Sequence, residues 1–146
     1  MSFESDLENG RMIEKEFARK LIRWGIQSVE LAPYGAFKDW DVKARFWKEW
    51  KIVEKTFEIK DDIISAQTWN VWFEFRCFGK PSWIYASKAD YIVYHLNNKF
   101  YYQDRGELLF RLDNIDKKSV KWWDGNQSQM YIVSLKYLNN LFDEFK

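Results

Sequence analysis

Two short stretches of the sequence carry acidic and basic side chains that could act on a phosphodiester. In the stretch 56–62, which reads TFEIKDD, Glu58 and Lys60 are two residues apart. Side chains alternate between the faces of a β-strand, so a strand here places Glu58 and Lys60 on one face and apolar residues on the other. Two carboxylates and a lysine can hold a hard divalent cation and direct a water molecule. By itself the spacing is very common, and a solvated strand face explains most of its occurrences.

The second carboxylate comes from the stretch 41–46, which also alternates. Its even-numbered residues are apolar and its odd-numbered residues are charged. The short link at 47–50 predicts that this strand and the strand of Glu58 form a hairpin. Their polar faces would then bring Asp41 close to Glu58. Asp39 is a rival for this role, and Asp41 is preferred because it begins the better alternating strand.

Composition places limits on the class of protein. A chain of 146 residues with 47% hydrophobic and 31% charged residues fits one globular domain, residues 1–146. The net charge of +1 provides no overall basic surface, so affinity for nucleic acid would require a local patch. Aromatic residues make up 20% of the chain, and they could fill the core or stack on bases.

Residue counts exclude several kinds of site. Cys77 and His95 are the only residues of their types, which excludes an internal disulfide, cysteine-rich zinc modules and histidine clusters. No apolar run is long enough to span a bilayer, and the acidic N-terminus does not resemble a signal peptide. We therefore expect an intracellular protein without a membrane partner.

Helical spacing of apolar residues predicts a helix over 9–24, ended by Gly25. Glu14 borders the apolar stripe of this helix, where it could lean toward a sheet and orient a metal-bound water. A solvated residue at the helix edge explains the same position. Ser87 and Asp90 have the spacing of a helix-capping box, which predicts a structural role for both.

The rest of the chain is predicted to alternate between strands, turns and helices. We expect a strand over 68–75 and an extended segment over 91–96 followed by a hairpin turn at Asn97-Asn98. Further expectations are loops at 31–35 and 122–126, a turn at 79–82, a helix over 106–115, a short strand or helix start at 130–135, and a C-terminal helix over 137–145.

The order of these features resembles the PD-(D/E)XK nuclease superfamily, which includes restriction enzymes, Holliday-junction resolvases and phage exonucleases. Its members share a helix with an acid, a strand with Asp, a strand with Glu-x-Lys, and a further strand and helix. The chain is most similar to a small bacteriophage-type branch. The similar segments lie between residues 10 and 95 and are Gly10 with Glu14, 58–61, 68–74, 79–84 and 87–91.

Three positions depart from the pattern of that family. Trp69 and Trp83 stand where the branch tends to have Gly, which bears on any close backbone approach there. Trp40 precedes Asp41 where the superfamily name has Pro, although this position varies widely. The individual motifs are weak, and the resemblance depends on their order and spacing.

The resemblance implies an α/β (α+β) fold with a restriction-endonuclease-like mixed β-sheet core flanked by helices. It also implies that Asp41, Glu58 and the carbonyl of Ile59 bind Mg²⁺ or Mn²⁺. Lys60 would position or help to deprotonate the attacking water, or stabilise the phosphorane. Glu14 would orient a metal-bound water, so the catalytic set is Glu14, Asp41, Glu58 and Lys60. Candidates for the substrate groove are Lys43, Asn70, Glu74 and Lys88.

The function implied by the resemblance is a Mg²⁺-dependent deoxyribonuclease, with endonuclease favoured over exonuclease. Its partner would be DNA, including branched DNA of phage replication or recombination, in the cytoplasm of a bacterial or phage-infected cell. We expect a homodimer if both strands are cut, because one domain presents one site. The alternatives are a catalytically silent module that binds nucleic acid or protein, and an unrelated small α+β protein.

Overall fold

Two β-sheets and three α-helices make up the described part of the chain. The computed structural model describes residues 3–33, 39–61, 68–122 and 128–146. The helices are α1 (Phe3–Arg23), α2 (Arg105–Asp113) and α3 (Leu138–Leu141), with 3₁₀ turns at Trp83–Tyr85 and Leu135–Tyr137. The strands are β1 (Ser28–Leu31), β2 (Val42–Lys48), β3 (Lys51–Asp61), β4 (Asn70–Cys77), β5 (Lys80–Pro81), β6 (Tyr91–Leu96), β7 (Lys99–Asp104), β8 (Lys118–Trp122), β9 (Ser128–Ser134) and β10 (Asp143–Phe145).

The larger sheet is mixed and has the strand order β1-β2-β3-β6-β7-β10. Its strands pair antiparallel except for β3 and β6, which are parallel. The predicted β2–β3 hairpin is present, with Val42 opposite Phe57. Its turn residues Glu49 and Trp50 have φ of 51° and 67°, as a tight two-residue hairpin turn requires. The register therefore brings Asp41, one residue before β2, alongside Glu58.

Helix α1 covers one face of this sheet. Phe17 and Leu21, four residues apart on the helix, are buried against Val42, Phe57 and Phe100 of the sheet. The ring centroids of Phe17 and Phe57 are 5.3 Å apart. The predicted helix is thus confirmed, although it starts at Phe3, earlier than the apolar spacing indicated.

The smaller sheet, in the order β5-β4-β9-β8, packs against the other face of the larger one. Val71 and Phe73 of β4 form a buried cluster with Ile92 and Tyr94 of β6. Alternation along β3 and β6 places these β6 side chains on the same face as Glu58, which is opposite Ile92 in the register. The second sheet therefore borders the side of the hairpin that carries Glu58.

Several predicted elements are present with shifted ends. The strands predicted at 68–75 and 91–96, the Asn97-Asn98 turn and the helix at 106–115 correspond to β4, β6, the β6–β7 turn and α2. The segment 130–135 lies mostly in strand β9, and Trp122, placed in a loop by the sequence, ends β8. The remainder of that loop, and part of the loop at 31–35, lie outside the described residues.

Two local predictions were wrong. The segment 137–145 forms only one helical turn and then strand β10, which pairs with β7. Phe145 is thereby buried beside Phe17, at 5.6 Å between ring centroids, and this contact outweighs the local helical spacing. No helix follows Ser87 and Asp90, because the chain enters β6 directly. The Ser87 hydroxyl instead accepts a hydrogen bond from the Ala89 N–H, at 3.2 Å.

The coarse fold prediction is confirmed as a mixed α+β arrangement with a mixed sheet and flanking helices. Of the helices in the described ranges, none is both long and apolar enough to cross a membrane.

Candidate acidic site beside the β2–β3 hairpin

Asp41 is held against β3 by two hydrogen bonds that flank Glu58. Its N–H donates to the Phe57 carbonyl at 2.8 Å, and its Oδ2 accepts from the Ile59 N–H at 2.7 Å. Burial raises the pKa of Asp41 above its ordinary value, while the Ile59 N–H and the Arg11 charge oppose that rise. The backbone of β3 therefore fixes the orientation of a half-buried carboxylate next to Glu58.

Glu58 is the second half-buried carboxylate. Its Oε2 atom is buried and has no hydrogen-bond partner among the described residues. Burial is the main cause that raises the pKa of Glu58, and the Asp41 charge adds to it. Three influences oppose this rise: a hydrogen bond from the Ser87 hydroxyl and the charges of Lys60 and Arg105 each lower the pKa of Glu58. A buried acceptor beside another carboxylate is a strained arrangement that a bound cation would relieve.

Glu14 approaches the same group from α1. Burial raises its pKa first, and the Asp41 charge raises it further. The Arg11 Nη1 atom lies 3.2 Å from Glu14 Oε2 and 2.8 Å from the Ala32 carbonyl oxygen, and its charge lowers the pKa. Asp41 is thus electrostatically coupled to both Glu14 and Glu58, which brings together the three predicted acids.

Lys60 extends from the same face of β3 as Glu58 and is exposed. Its Nζ atom lies 6.0 Å from the centre of the Trp83 ring, and its charge is close enough to lower the pKa of Glu58. An exposed ammonium group beside two half-buried carboxylates can contact a phosphate without first breaking an internal ion pair.

The four predicted groove residues are in different settings. Glu74 accepts hydrogen bonds from the hydroxyls of Ser82 and Ser128, which indicates that it ties β4 to its neighbours. The Asn70 side chain donates to the Thr68 carbonyl oxygen at 3.0 Å, within the local turn. These two side chains therefore have structural partners that the strand pattern did not indicate.

Lys43 and Lys88 each form an ion pair with a carboxylate outside the acidic group. Lys43 Nζ is 3.5 Å from a Glu54 carboxylate oxygen and 4.5 Å from the centre of the Trp40 ring. Lys88 Nζ is 3.8 Å from Asp39 Oδ1 in an exposed pair. Asp39, the rival of Asp41, is therefore paired at the surface, whereas Asp41 is coupled to the acidic group.

Three residues of the site were missed by sequence reasoning. Arg11 lies three residues before Glu14, a spacing that signals a helix ion pair. The only sequence signal at Ser87 was the spacing of a capping box, which wrongly predicted a helix cap. The contact of Ser87 with Glu58 follows from the parallel pairing of β3 and β6. Arg105 donates to the carbonyl oxygens of Ile84 and Tyr85, at 2.7 and 3.1 Å, and no local pattern indicates its proximity to Glu58.

The donor set suits a hard cation bound by a pair of carboxylates. Across the described ranges, no three or more His, Cys, Asp and Glu side chains form a ready-made metal cluster. Mg²⁺ does not require one, because it usually binds through one or two carboxylates and keeps several waters. Asp41 and Glu58 fit that requirement, because both have raised pKa values and Glu58 Oε2 has no hydrogen-bond partner within the part of the chain that the structure describes.

Both positions at which the chain departs from the glycines of the phage-type branch have left-handed backbone. Trp69 has φ of 59° and Trp83 has φ of 47°. Bulky residues rarely adopt such angles, whereas glycine does so readily. Glycine is therefore the residue expected there in a related chain with the same backbone.

Comparison of the chain with models of known protein families, with curated proteins and with solved structures finds no match in any of the three.

Replacing Ser87 with alanine should impair the site through Glu58. Loss of the hydroxyl removes a hydrogen bond that favours the ionised carboxylate, so the pKa of Glu58 should rise further. For the metal-dependent nuclease that the resemblance implies, Mg²⁺ affinity and cleavage at neutral pH should fall by about 10- to 100-fold, the usual cost of losing a partner of a metal-binding group. The acid limb of the pH–rate profile should move to higher pH.

Ser87→Thr, which keeps the hydroxyl, is the matched control and should restore the acid limb. If Ser87→Ala melted at a lower temperature but kept the wild-type rate and pH profile, the hydroxyl would have only a structural role.

Proposed function

We propose that the protein is a metal-dependent deoxyribonuclease that hydrolyses phosphodiester bonds and favours internal over terminal cleavage. The observation that carries the proposal is the placement of Asp41 and Glu58, half-buried carboxylates from adjacent segments, beside the exposed ammonium group of Lys60. Burying two carboxylates together is costly unless a cation compensates them. The two carboxylates are nevertheless buried together here, next to a lysine whose ammonium group is exposed and can reach a phosphate.

The roles of the residues follow from their surroundings. Asp41, Glu58 and the Ile59 carbonyl would hold Mg²⁺ or Mn²⁺, which when bound neutralises phosphate charge and makes a bound water more acidic. Lys60 donates hydrogen bonds to the scissile phosphate or the attacking water. Its charge stabilises the negative charge that builds up on the phosphate oxygens in the transition state.

Glu14 completes the site from the helix side. Its pKa is raised by burial and by Asp41, so it can accept a hydrogen bond from a water near Asp41. Ser87 holds the Glu58 carboxylate in place, and Arg105, which is tied to the Ile84 carbonyl oxygen, supplies a nearby positive charge. These three residues orient the reacting groups without contacting the scissile bond.

The backbone angles add independent support for the resemblance to the PD-(D/E)XK superfamily. Trp69 and Trp83 occupy left-handed conformations where the phage-type branch tends to have glycine. If the resemblance arose by chance, the two positions at which the branch prefers glycine would not be expected to have left-handed backbone in this chain. On this basis we propose the restriction-endonuclease-like version of the mixed fold, acting on DNA in the cytoplasm of a bacterial or phage-infected cell.

The test is cleavage of matched linear, flap and four-way DNA with Mg²⁺, with Mn²⁺ and with chelator. We expect cleavage of at least one branched substrate that requires the metal and leaves internal ends. Equal cleavage in chelator, or no cleavage of any substrate with either ion, would reject the proposal.

A catalytically silent binding module is the second candidate. Arg11 favours it, because its guanidinium group already supplies positive charge to Glu14 and Asp41. Calorimetric titration separates the two candidates, since a silent module that relies on Arg11 should take up no Mg²⁺ or Mn²⁺.

If the substrate is cut on both strands, the protein should act as a homodimer. Two symmetric cuts need two active sites, and each chain provides one. Sedimentation at micromolar concentration should then show a dimer with four-way DNA, and a monomer under every condition would contradict the expectation.

A further inference from the structure

The end of the β2–β3 hairpin, residues 47–52, exposes an unusual amount of apolar surface. Trp50 at the turn is 96% exposed, and Trp47 and Ile52, which are paired opposite each other, are 60% and 64% exposed. Isolated exposed apolar residues are ordinary, but three together at a projecting tip indicate a contact surface. We call residues 47–52 the hairpin tip.

The backbone at the turn adds a second observation. Trp50 and Glu49 both have left-handed φ, at a turn where Asn-Gly would fit without strain. A bulky side chain at such an angle is unfavourable, and outliers of this kind cluster at functional sites. Contacts between the Trp50 ring and a binding partner would compensate this cost, which glycine at the same position would not incur.

The charge of the hairpin favours nucleic acid over a second copy of the chain. Between Lys43 and Lys55 lie five basic and two acidic residues, hence a local charge of +3 against +1 for the whole chain. Lys48 and Lys51 are paired across the strands next to the turn and have no ion pair among the described residues. Two such tips would repel each other in a symmetric dimer, whereas a phosphate backbone would attract them.

The tip and the acidic site are arranged along one strand. Alternation along the register places Trp47 and Ile52 on the same face as Glu58, with Lys48 and Lys51 on the other. Ile52 is six residues from Glu58, which is about 20 Å along a strand. That distance corresponds to about six base pairs of duplex.

We propose that the hairpin tip is a stacking wedge that binds DNA at a branch point or unpaired base, about six base pairs from the bond cut at the acidic site. Bases inside a continuous duplex have no free face, whereas a branch or flap exposes one to Trp50. A tip with apolar residues on one face and lysines on the other suits two arms that diverge around it. This assignment of the substrate class rests on the proposed nuclease function.

The test measures binding separately from cleavage. Two proteins are titrated in chelator with labelled linear, flap and four-way DNA of matched sequence. The parent carries Lys60→Ala, and the second protein carries Trp50→Gly in addition. Glycine accepts the left-handed φ of Trp50, so this variant should melt no lower than its parent. Phe110→Ala, which removes an aromatic residue that is 64% exposed on α2, is the matched control.

We expect Trp50→Gly to weaken binding of flap and four-way DNA about tenfold, as the loss of one base-stacking aromatic commonly does. Linear duplex should change by less than about twofold, and Phe110→Ala should behave as the parent. A 2-aminopurine placed at the branch should lose its protein-induced quenching in Trp50→Gly alone. Lys48→Glu with Lys51→Glu should weaken all three DNAs and reduce the salt dependence.

Two outcomes would overturn the wedge. One is unchanged binding of all three DNAs by Trp50→Gly, and the other is a wild-type dimer that dissociates in this variant with no effect on DNA, which would make the tip a self-association surface. Failure of the nuclease proposal would look different, because branched DNA would still bind through Trp50 while wild type cut nothing with Mg²⁺.

Discussion

Replacing Lys60 with alanine is expected to slow DNA cleavage by about two to three decades and to leave Mg²⁺ binding intact. The ammonium group is exposed on the site face of β3 and has no ion pair within the described ranges, so its removal leaves no buried charge behind. Loss of one electrostatic contact made mainly in the transition state commonly costs about 3–4 kcal/mol. The measurement is single-turnover cleavage of the best substrate, beside calorimetric titration of Mg²⁺.

Lys55→Ala provides the matched control for Lys60→Ala. Lys55 is on the same strand but, by alternation, faces the α1 side and not the acids. The Lys55→Ala variant should cleave DNA at close to the wild-type rate. If Lys60→Ala also cut at that rate, Lys60 would have no part in catalysis, whereas loss of Mg²⁺ binding in Lys60→Ala would mean that it supports the metal site.

The part of the site that sequence predicted best is the part built from local strand patterns. Alternation at 41–46 and 56–61 is enough to predict the hairpin, its faces and the approach of Asp41 to Glu58, because neighbouring strands joined by a short turn have few alternative pairings. The Asp41 bonds to the backbone of β3 could not be predicted, because they depend on how the chain enters β2.

The missed features depend on contacts between distant segments. Ser87 reaches Glu58 only because β6 pairs in parallel with β3, and a parallel pairing leaves no turn signal in the sequence. The C-terminal segment shows the same limit, since the apolar spacing of Leu138, Leu141 and Phe145 fits a helix. The segment forms a strand instead, because the strand buries Phe145 beside Phe17 of α1. No pattern within the segment indicates that Phe17 is its partner.

Replacing Asp41 with asparagine or Glu58 with glutamine should have the largest effect on catalysis and an opposite effect on stability. Both substitutions remove a charged oxygen from the proposed cation site, so cleavage should fall below detection and Mg²⁺ affinity should drop sharply. Asparagine can still accept the Ile59 N–H bond through its side-chain oxygen, so the local structure should survive.

The stability effect follows from the raised pKa values of both carboxyls. Burial, the main cause, makes the folded state bind their protons more tightly than the unfolded state does. The free energy of unfolding then decreases as pH rises from the ordinary carboxyl pKa through the raised one, and the full penalty is present above the raised pKa. Without metal, either neutral variant should therefore be more stable than wild type above the raised pKa, by about 0.5–2 kcal/mol, the size of gain that a single stabilising substitution commonly gives.

Thermal unfolding of the wild type and both variants, in chelator and in excess Mg²⁺, measures how each substitution changes stability with and without the metal. The advantage of the variants in chelator should shrink as pH is lowered, because protonation relieves the wild type of the same charges. Added Mg²⁺ should stabilise the wild type and leave the variants nearly unchanged, since only an intact pair of carboxylates binds the ion well. Variants that were less stable than wild type in chelator, or equally stabilised by Mg²⁺, would show that Asp41 and Glu58 serve the fold and not a metal-dependent reaction.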